Sequence, residues 1–513
     1  RNFHVLHQRR HHIFISPYIG VFLSRARNRD AMAVTYQFKT QPYEHQSDAL
    51  SKGAEAPFFA YFMDMGTGKS KVLLDNVGLL FEEGKITGAC IIAPKSVYLN
   101  WAANEVPFHL PDRFSLDMLC WAPSNSKRNQ EQRKQFLQKE EGKLKLLFMN
   151  VESLSSKKGT VFLESVLRTH SPNLLAIDES TTIKSRTAAR TKTLLRLAQY
   201  ADYRRILTGS PVTQSPLDLF TQCEFLQKKS LNQNSYWGFL NRYAKIQRKT
   251  MGAHSFQQVV GYQNLEELNK IIQPFSFRVR KEDCLDLPDK IYQKREVELN
   301  PEQKAAYESM KRAAMAFLEQ GEVTASTVLT QLMRLQQICS GHVKNDQGEI
   351  VVFPSPKVTE LMKTLEEIEG KCIIWCNFTH DLLRLAGEIE KVYGKKTYRL
   401  FYGAVKAEDR QQIVKEFQDP ENPFRFFLGQ PRSGGYGLTL TQAQTVIYFS
   451  NGFDLEIRLQ SEDRAHRIGQ TNKVTYIDFV AKGTVDEKIL YALRNKINLA
   501  SQVMDEGYKK WLV

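Results

Sequence analysis

Lys69 and Ser70 follow a glycine-rich turn, Met63-Asp64-Met65-Gly66-Thr67-Gly68, and open the helical stretch KVLLDNVGLLF. Those residue types at that spacing suit a cradle for a triphosphate. Gly66 and Gly68 let successive backbone N–H groups close around phosphate oxygens, and the helix start adds a favourable dipole. Gly66, Thr67, Gly68, Lys69 and Ser70 are then the binding residues. Lys69 reaches the β/γ positions and Ser70 holds a divalent cation. The full pattern G-x-x-x-x-G-K-[ST] asks for glycine at 63, where Met63 stands. The alternative is a glycine-rich strand-to-helix turn that binds nothing.

A second group follows the apolar run NLLAI, which ends in Asp178 and Glu179. A carboxylate at a strand tip suits Mg²⁺, and its neighbour suits polarising an attacking water. The alternative is an acidic helix cap. Thr208 and Ser210, in ILTGSPV, are hydroxyls at the end of a further strand candidate; they read equally as γ-phosphate sensors or as a capping turn. Far downstream, DRAHRIGQ places Arg464 and Arg467 three residues apart. On a helix they would share one face. They are either a solvated charge run or arginine fingers for a nucleotide held elsewhere.

These residues need elements to hold them. From about 57 to 215, apolar runs such as APFFAYFMDM, GACIIAP, LKLLFMN, NLLAIDE and YRRILTG alternate with helical patterns. That rhythm predicts a parallel sheet with crossover helices. It returns from about 370 in GKCIIWCN, KKTYRLFYG, RFFLGQ, QTVIYFS and VTYIDFVA. Between the two α/β halves the sequence reads as helical and strand-poor, with NLEELNKIIQPF and PEQKAAYESMKRAAMAFLEQ in helical period.

At 513 residues the chain predicts several domains. The net charge of +15 favours a polyanionic partner, either nucleic acid or an anionic surface. Seven scattered cysteines without a C-x-x-C pair argue against a disulfide framework or a zinc site. No run approaches a membrane span. Residues 1–31 are arginine-rich and acid-poor, which fits a transit peptide, a basic arm or a non-native extension.

In this order, MDMGTGKS, IIAPKSVYLNW, IDES and LTGSPVTQSPLDLF resemble motifs I, Ia, II and III of superfamily 2 helicases, and more closely those of Swi/Snf-type DNA translocases. PRSGGYGLTLTQAQTVIYFS resembles motif V, and LQSEDRAHRIGQ is similar to motif VI nearly letter for letter. The resemblance spans about residues 36 to 495. It departs at motif II, which reads Asp-Glu-Ser-Thr where the family has Asp-Glu-Ala-His, and at Asp64, where the family has glutamate. It looks like a minimal member of bacterial or viral type.

The resemblance implies an α/β fold: two RecA-like parallel-sheet lobes with a helical insert and linker between them. The expected divisions are an extension (1–31), lobe 1 with a helical insert (32–275), an interlobe linker and helical region (276–355), lobe 2 (356–500) and a tail (501–513). It implies that Gln46 contacts adenine, and that Gly66, Thr67, Gly68, Lys69 and Ser70 bind ATP with Mg²⁺. Asp178 shares the metal with Ser70, and Glu179 activates water. Arg464 and Arg467 come from the opposite lobe with Gln460 nearby. Gly435 and Gly437 couple DNA to nucleotide state. Lys95, Ser96 and Thr439 are candidate DNA-phosphate contacts. The partner is double-stranded DNA gripped nonspecifically through its backbone, with no membrane. The chain is expected to act as a monomer, in the cytoplasm of a bacterial or phage-infected cell, with a displaced or remodelled protein as a further candidate partner. The implied activity is a DNA-stimulated ATPase that moves along duplex DNA. The competing readings are a strand-separating or annealing superfamily 2 helicase, and a nucleic-acid scaffold with a dead nucleotide site.

Overall fold

The computed structural model describes residues 21–23, 35–95, 97–212, 215–251, 254–284, 287–319, 325–345, 347–434, 438–452, 454–467, 469–491 and 493–494. A short antiparallel ribbon, β1 (Val21–Leu23) with β2 (Thr35–Gln37), precedes the first lobe. That lobe carries β3 (Phe58–Met63), β4 (Gly88–Ala93), β5 (Ser115–Cys120), β6 (Lys143–Asn150), β7 (Asn173–Asp178) and β8 (Tyr203–Thr208). A hairpin of β9 (Ala244–Met251) and β10 (His254–Tyr262) follows, and then β11 (Ser276–Val279). Seven of these strands form one sheet in the order β11-β3-β8-β7-β4-β6-β5, with every pairing parallel.

The apolar strand runs exist because both sheet faces are covered. On β3, Ala60 and Phe62 face one core while Phe59, Tyr61 and Met63 face the other. The order places the carboxyl ends of β3, β8 and β7 side by side. The glycine-rich turn, Thr208 and the Asp178–Glu179 pair sit at those ends, where open parallel sheets bind ligands.

The second lobe has β12 (Lys290–Val297), the small hairpin β13 (His342–Lys344) with β14 (Ile350–Val352), then β15 (Lys371–Trp375), β16 (Tyr398–Phe401), β17 (Phe426–Gly429), β18 (Ala443–Tyr448) and β19 (Val474–Ala481). Its sheet runs β12-β19-β18-β15-β17-β16, again all parallel. Cys372 and Cys376 are buried in its core, and all seven cysteines are free thiols. Among the described residues no helix is long and apolar enough to cross a membrane, and no cluster of His, Cys, Asp or Glu has metal-binding spacing.

The structure differs from the sequence reading between the halves. The stretch read as strand-poor holds the β9–β10 hairpin, whose residues are too polar to show as apolar runs. The segment read as linker from 276 contributes β11 to the first sheet and β12 to the second. β12 lies at a sheet edge with most of its side chains in solvent, so it lacks a buried strand's composition. The helices Pro301–Glu319 and Ala325–Ser340 pack through Tyr307, Leu335 and Ile338 on Leu455, Val485 and Ile489 of the second lobe. Apart from β1, residues 1–31 lie outside the described residues, as do 501–513.

Arg205 of β8 is fully buried and ties the first lobe's binding elements together. Its guanidinium donates to Asn76 Oδ1 (2.8 Å) on the helix Lys69–Glu82, and to the carbonyls of Gly53 and Ala54 (3.0 Å each), where the helix Glu44–Gly53 ends. Arg205→Met keeps most of the volume and orphans these acceptors. It is expected to lower stability by about 3 kcal/mol, measured as the shift in denaturant midpoint.

Candidate active site

The glycine-rich turn has the backbone that a phosphate cradle needs. Gly66 and Gly68 have φ of +80° and +90°, the left-handed region. A Cβ on Gly68 would lie 2.1 Å from Gln46 Nε2, so any side chain there would displace Gln46 from the turn and be strained by the positive φ. Gln46 Nε2 donates to Thr67 O at 3.0 Å, and Thr67 Oγ1 donates to Asp64 O at 2.7 Å. Lys69 is buried and its Nζ folds back on Met63 O (2.9 Å) and Asp64 O (3.3 Å). Position 63 therefore contributes its carbonyl, which methionine supplies as well as glycine does. Asp64 pairs with Arg278 of β11 (3.2 Å) and accepts the Lys281 amide (3.1 Å).

Asp178 and Glu179 leave the tip of β7, both buried. Glu179 has φ +49°, rare for a residue with a side chain; such local strain concentrates at working sites. Asp178 Oδ2 accepts Trp101 Nε1 at 3.0 Å and Oδ1 accepts the Glu179 amide at 3.0 Å. Thr208 Oγ1 donates to Glu179 Oε2 at 3.3 Å, and the Ser210 amide donates to Thr208 Oγ1 at 3.2 Å. Burial pushes both carboxyls above the usual carboxylate range, opposed by Lys69 and, at Glu179, also by Arg464.

Trp101 and Glu105 flank a single π-helical turn, in which the Val106 amide donates to Trp101 O. Such widened turns recur at functional sites. This one aims Trp101 at Asp178 and brings Glu105 to the Ser70 hydroxyl. Burial raises the Glu105 carboxyl as well, while Ser70, Asn100 and the Arg467 charge oppose the shift. Buried Asp178, buried Glu179 and half-buried Glu105 thus gather around Lys69 and Ser70. The three acids do not form a metal-binding cluster by themselves, but the Ser70 hydroxyl and the Asp178 carboxylate are oxygen donors of the kind a hard divalent cation takes.

Arg464 and Arg467 arrive from the second lobe, but not on a helix. The helix Leu455–Glu462, capped by Asp454, ends before them. Its last carbonyl, Glu462 O, accepts both Ala465 N, in a tight i−3 return, and His466 N. The Arg464 carbonyl accepts the Leu440 amide at 2.9 Å instead of continuing a helical ladder. The shared helix face expected from their spacing is therefore corrected to a shared turn. Both guanidinium groups reach one carbonyl, Leu438 O, at 3.4 Å from Arg464 and 3.0 Å from Arg467. Arg467 Cβ comes within 3.5 Å of where a Gly66 Cβ would stand. Lys281 joins the pieces: its Nζ meets Asp463 Oδ1 at 2.5 Å and His466 O at 2.7 Å, while its amide holds Asp64.

Comparison with known proteins sets this cleft in a family. The model of the SNF2-related domain matches residues 61–343, more than half the chain, and that of the helicase conserved C-terminal domain matches 356–469. The chain belongs to the SNF2-related family. It is similar to the SWI/SNF chromatin-remodeling complex subunit snf22 of Schizosaccharomyces pombe, at 26% identity over 471 residues, 86% of this chain and 26% of that protein. It is also similar to the putative ATP-dependent helicase/translocase YwqA of Bacillus subtilis, at 25% over 499 residues, 91% of this chain and 50% of that one. Among solved structures it is similar to a Sulfolobus solfataricus SWI2/SNF2 ATPase core in complex with dsDNA, at 25% identity, 92% and 94% coverage and a TM-score of 0.42. The chain spans half or less of the length of these curated relatives.

In this SNF2-related chain the structure gathers Gln46, Gly66, Thr67, Gly68, Lys69, Ser70, Asp178, Glu179, Arg464 and Arg467 at one cleft. Gln460 is near it, but its Nε2 donates to Glu456 Oε1 at 3.1 Å. Lys95 is exposed just after β4, and Thr439 is half-buried beside Leu438. Ser96, Gly435 and Gly437 lie outside the described residues. Trp101, Glu105 and Lys281 are site residues that motif spacing did not single out. The polar charge of Glu105 and Lys281 was visible, but nothing local ties either to a phosphate.

Proposed function

We propose that this chain is the motor of a DNA-stimulated ATPase that translocates along double-stranded DNA. The observation that carries the reading is the meeting of Lys69, Asp178 and Glu179 from one lobe with Arg464 and Arg467 from the other. ATP enters between the lobes with its phosphates on the Gly66–Ser70 backbone, and Lys69 exchanges the Met63 and Asp64 carbonyls for the β/γ-phosphates. Glu179, steadied by Thr208, takes the proton of the attacking water. The two arginines neutralise charge that develops on the transferred phosphoryl group. Ser70 and Asp178 hold Mg²⁺, which when bound adds charge neutralisation at the phosphates. Because the arginines sit on the opposite lobe, hydrolysis requires closure, and each cycle moves one lobe relative to the other along the DNA.

The net charge of +15 supports a nonspecific, salt-sensitive grip on DNA backbone. Lys95, Ser96 and Thr439 are the candidate phosphate contacts, acting in a monomer that displaces or remodels proteins bound to DNA. The similarity to the Bacillus protein favours the cytoplasm of a bacterial or phage-infected cell.

Duplex DNA is expected to raise ATP turnover strongly, single-stranded DNA and RNA weakly. The stimulation should fall steeply with added salt, and Lys69→Ala should abolish turnover. Absence of stimulation by duplex DNA would overturn the reading. ATP-dependent displacement of a labelled strand from a fork would replace translocation with strand separation.

A further inference from the structure

Position 181, two residues after Glu179, holds threonine where the family resemblance places histidine. Thr181 is buried in the tight turn Ser180–Ile183, whose geometry follows from the left-handed Glu179. Its Oγ1 donates across the lobes to Glu456 Oε1 at 2.7 Å. The same oxygen accepts Gln460 Nε2 at 3.1 Å. Glu456 stands in the first turn of the helix Leu455–Glu462, whose far end runs into the arginine turn. That helix is itself firmly set. Arg458 stacks 3.5 Å over the Tyr448 ring and bonds Glu462 (2.8 Å) and Asp478 (2.5 Å). One carboxylate therefore joins the segment that carries Glu179 to the element that carries Arg464 and Arg467.

We propose that Glu456 is a positioning residue, which through Thr181 sets Glu179 against the arginine turn when the lobes meet. The inference rests on the ATPase reading above. A threonine hydroxyl lies close to its own backbone and cannot itself cross to the other lobe. Glu456 supplies the reach, and Gln460 holds the carboxylate in place. The charged groups facing Glu456 are Glu179 and Lys184 from the first lobe and Asp454 from its own helix. Burial and the Glu179 charge raise the Glu456 carboxyl, and Lys184 opposes them. The residue therefore acts on Glu179 through geometry, by way of the Thr181 contact.

The test compares Glu456→Ala, Thr181→Val, their double mutant and Glu456→Gln in DNA-stimulated hydrolysis, with thermal midpoints as the folding control. Each of the first two should lower kcat about tenfold with KM for ATP changed less than about twofold. The double mutant should be no slower than the slower single, because both break one link. Glu456→Gln still accepts from Thr181, so its kcat should recover to within about threefold of wild type. Wild-type kcat in Glu456→Ala, multiplicative losses in the double mutant, or a Glu456→Gln kcat as low as that of Glu456→Ala would each overturn the proposal. Wild-type protein without DNA-stimulated hydrolysis would instead overturn the ATPase reading on which it stands.

Discussion

Arg467→Ala is expected to cut ATP turnover by about 10³-fold or more, with nucleotide affinity changed only a few-fold. The expectation follows from where the residue sits. Arg467 is on the second lobe, yet its Cβ approaches the Gly66 position to 3.5 Å, and its NH1 is steadied on Leu438 O at 3.0 Å. The Glu105 charge acts on it across the cleft, and burial lowers its pKa without removing its charge. It can therefore add positive charge over the γ-phosphate only when the lobes meet, which is a transition-state contribution more than a binding one. Arg467→Lys should not restore turnover, because an ammonium lacks the planar fork that can hold Leu438 O and a phosphate oxygen together. Folding should be retained: Asp463, its acidic neighbour, keeps Lys281 at 2.5 Å and Lys290 at 3.7 Å. Single-turnover hydrolysis with a fluorescent ATP analogue for binding separates the two quantities. Turnover near wild type would remove Arg467 from the chemistry and leave Arg464 as the finger.

Arg464 and Arg467 also show what a sequence discloses. Their types and their company with a phosphate cradle could be read directly, because phosphate chemistry accepts few substitutes. Their backbone could not. A spacing of three fits a helix, but the amide that captures the Arg464 carbonyl belongs to Leu440, more than twenty residues earlier in the chain. The buried strands of both sheets were legible for a simple reason: covered on both faces, they must be apolar throughout, as FFAYFM and KCIIW are. Strands exposed on both faces, such as β12 and the 245–248 stretch of β9, blend into loop composition and escape a reading by apolar runs. Trp101 reads locally as a core aromatic, and only folding brings its indole N–H to Asp178. The Thr181–Glu456 contact joins residues separated by 275 positions, and no local pattern announces it.

Glu179→Gln should reduce turnover by about 10²- to 10⁴-fold, while ATP binding and lobe closure persist. Glutamine has the same shape, and its Oε1 can still accept the Thr208 hydroxyl that now donates to Glu179 Oε2 at 3.3 Å. What is lost is the basic oxygen that takes the water proton. The wild-type pH dependence should show the same group. Burial raises the Glu179 carboxyl above the usual range, and the Asp178 charge adds to that, against Lys69 and Arg464. The ionised form is the active one, so activity should be full above the raised pKa and fall as pH drops through it, earlier than an ordinary glutamate would allow. Stability should move the other way. Because the folded state disfavours the charged form, neutral glutamine removes a cost of folding at neutral pH, and the thermal midpoint of Glu179→Gln should rise. Loss of activity with a raised midpoint would identify a carboxylate kept for chemistry at the expense of stability. Loss of activity with a lowered midpoint would assign Glu179 to holding the β7 tip in place.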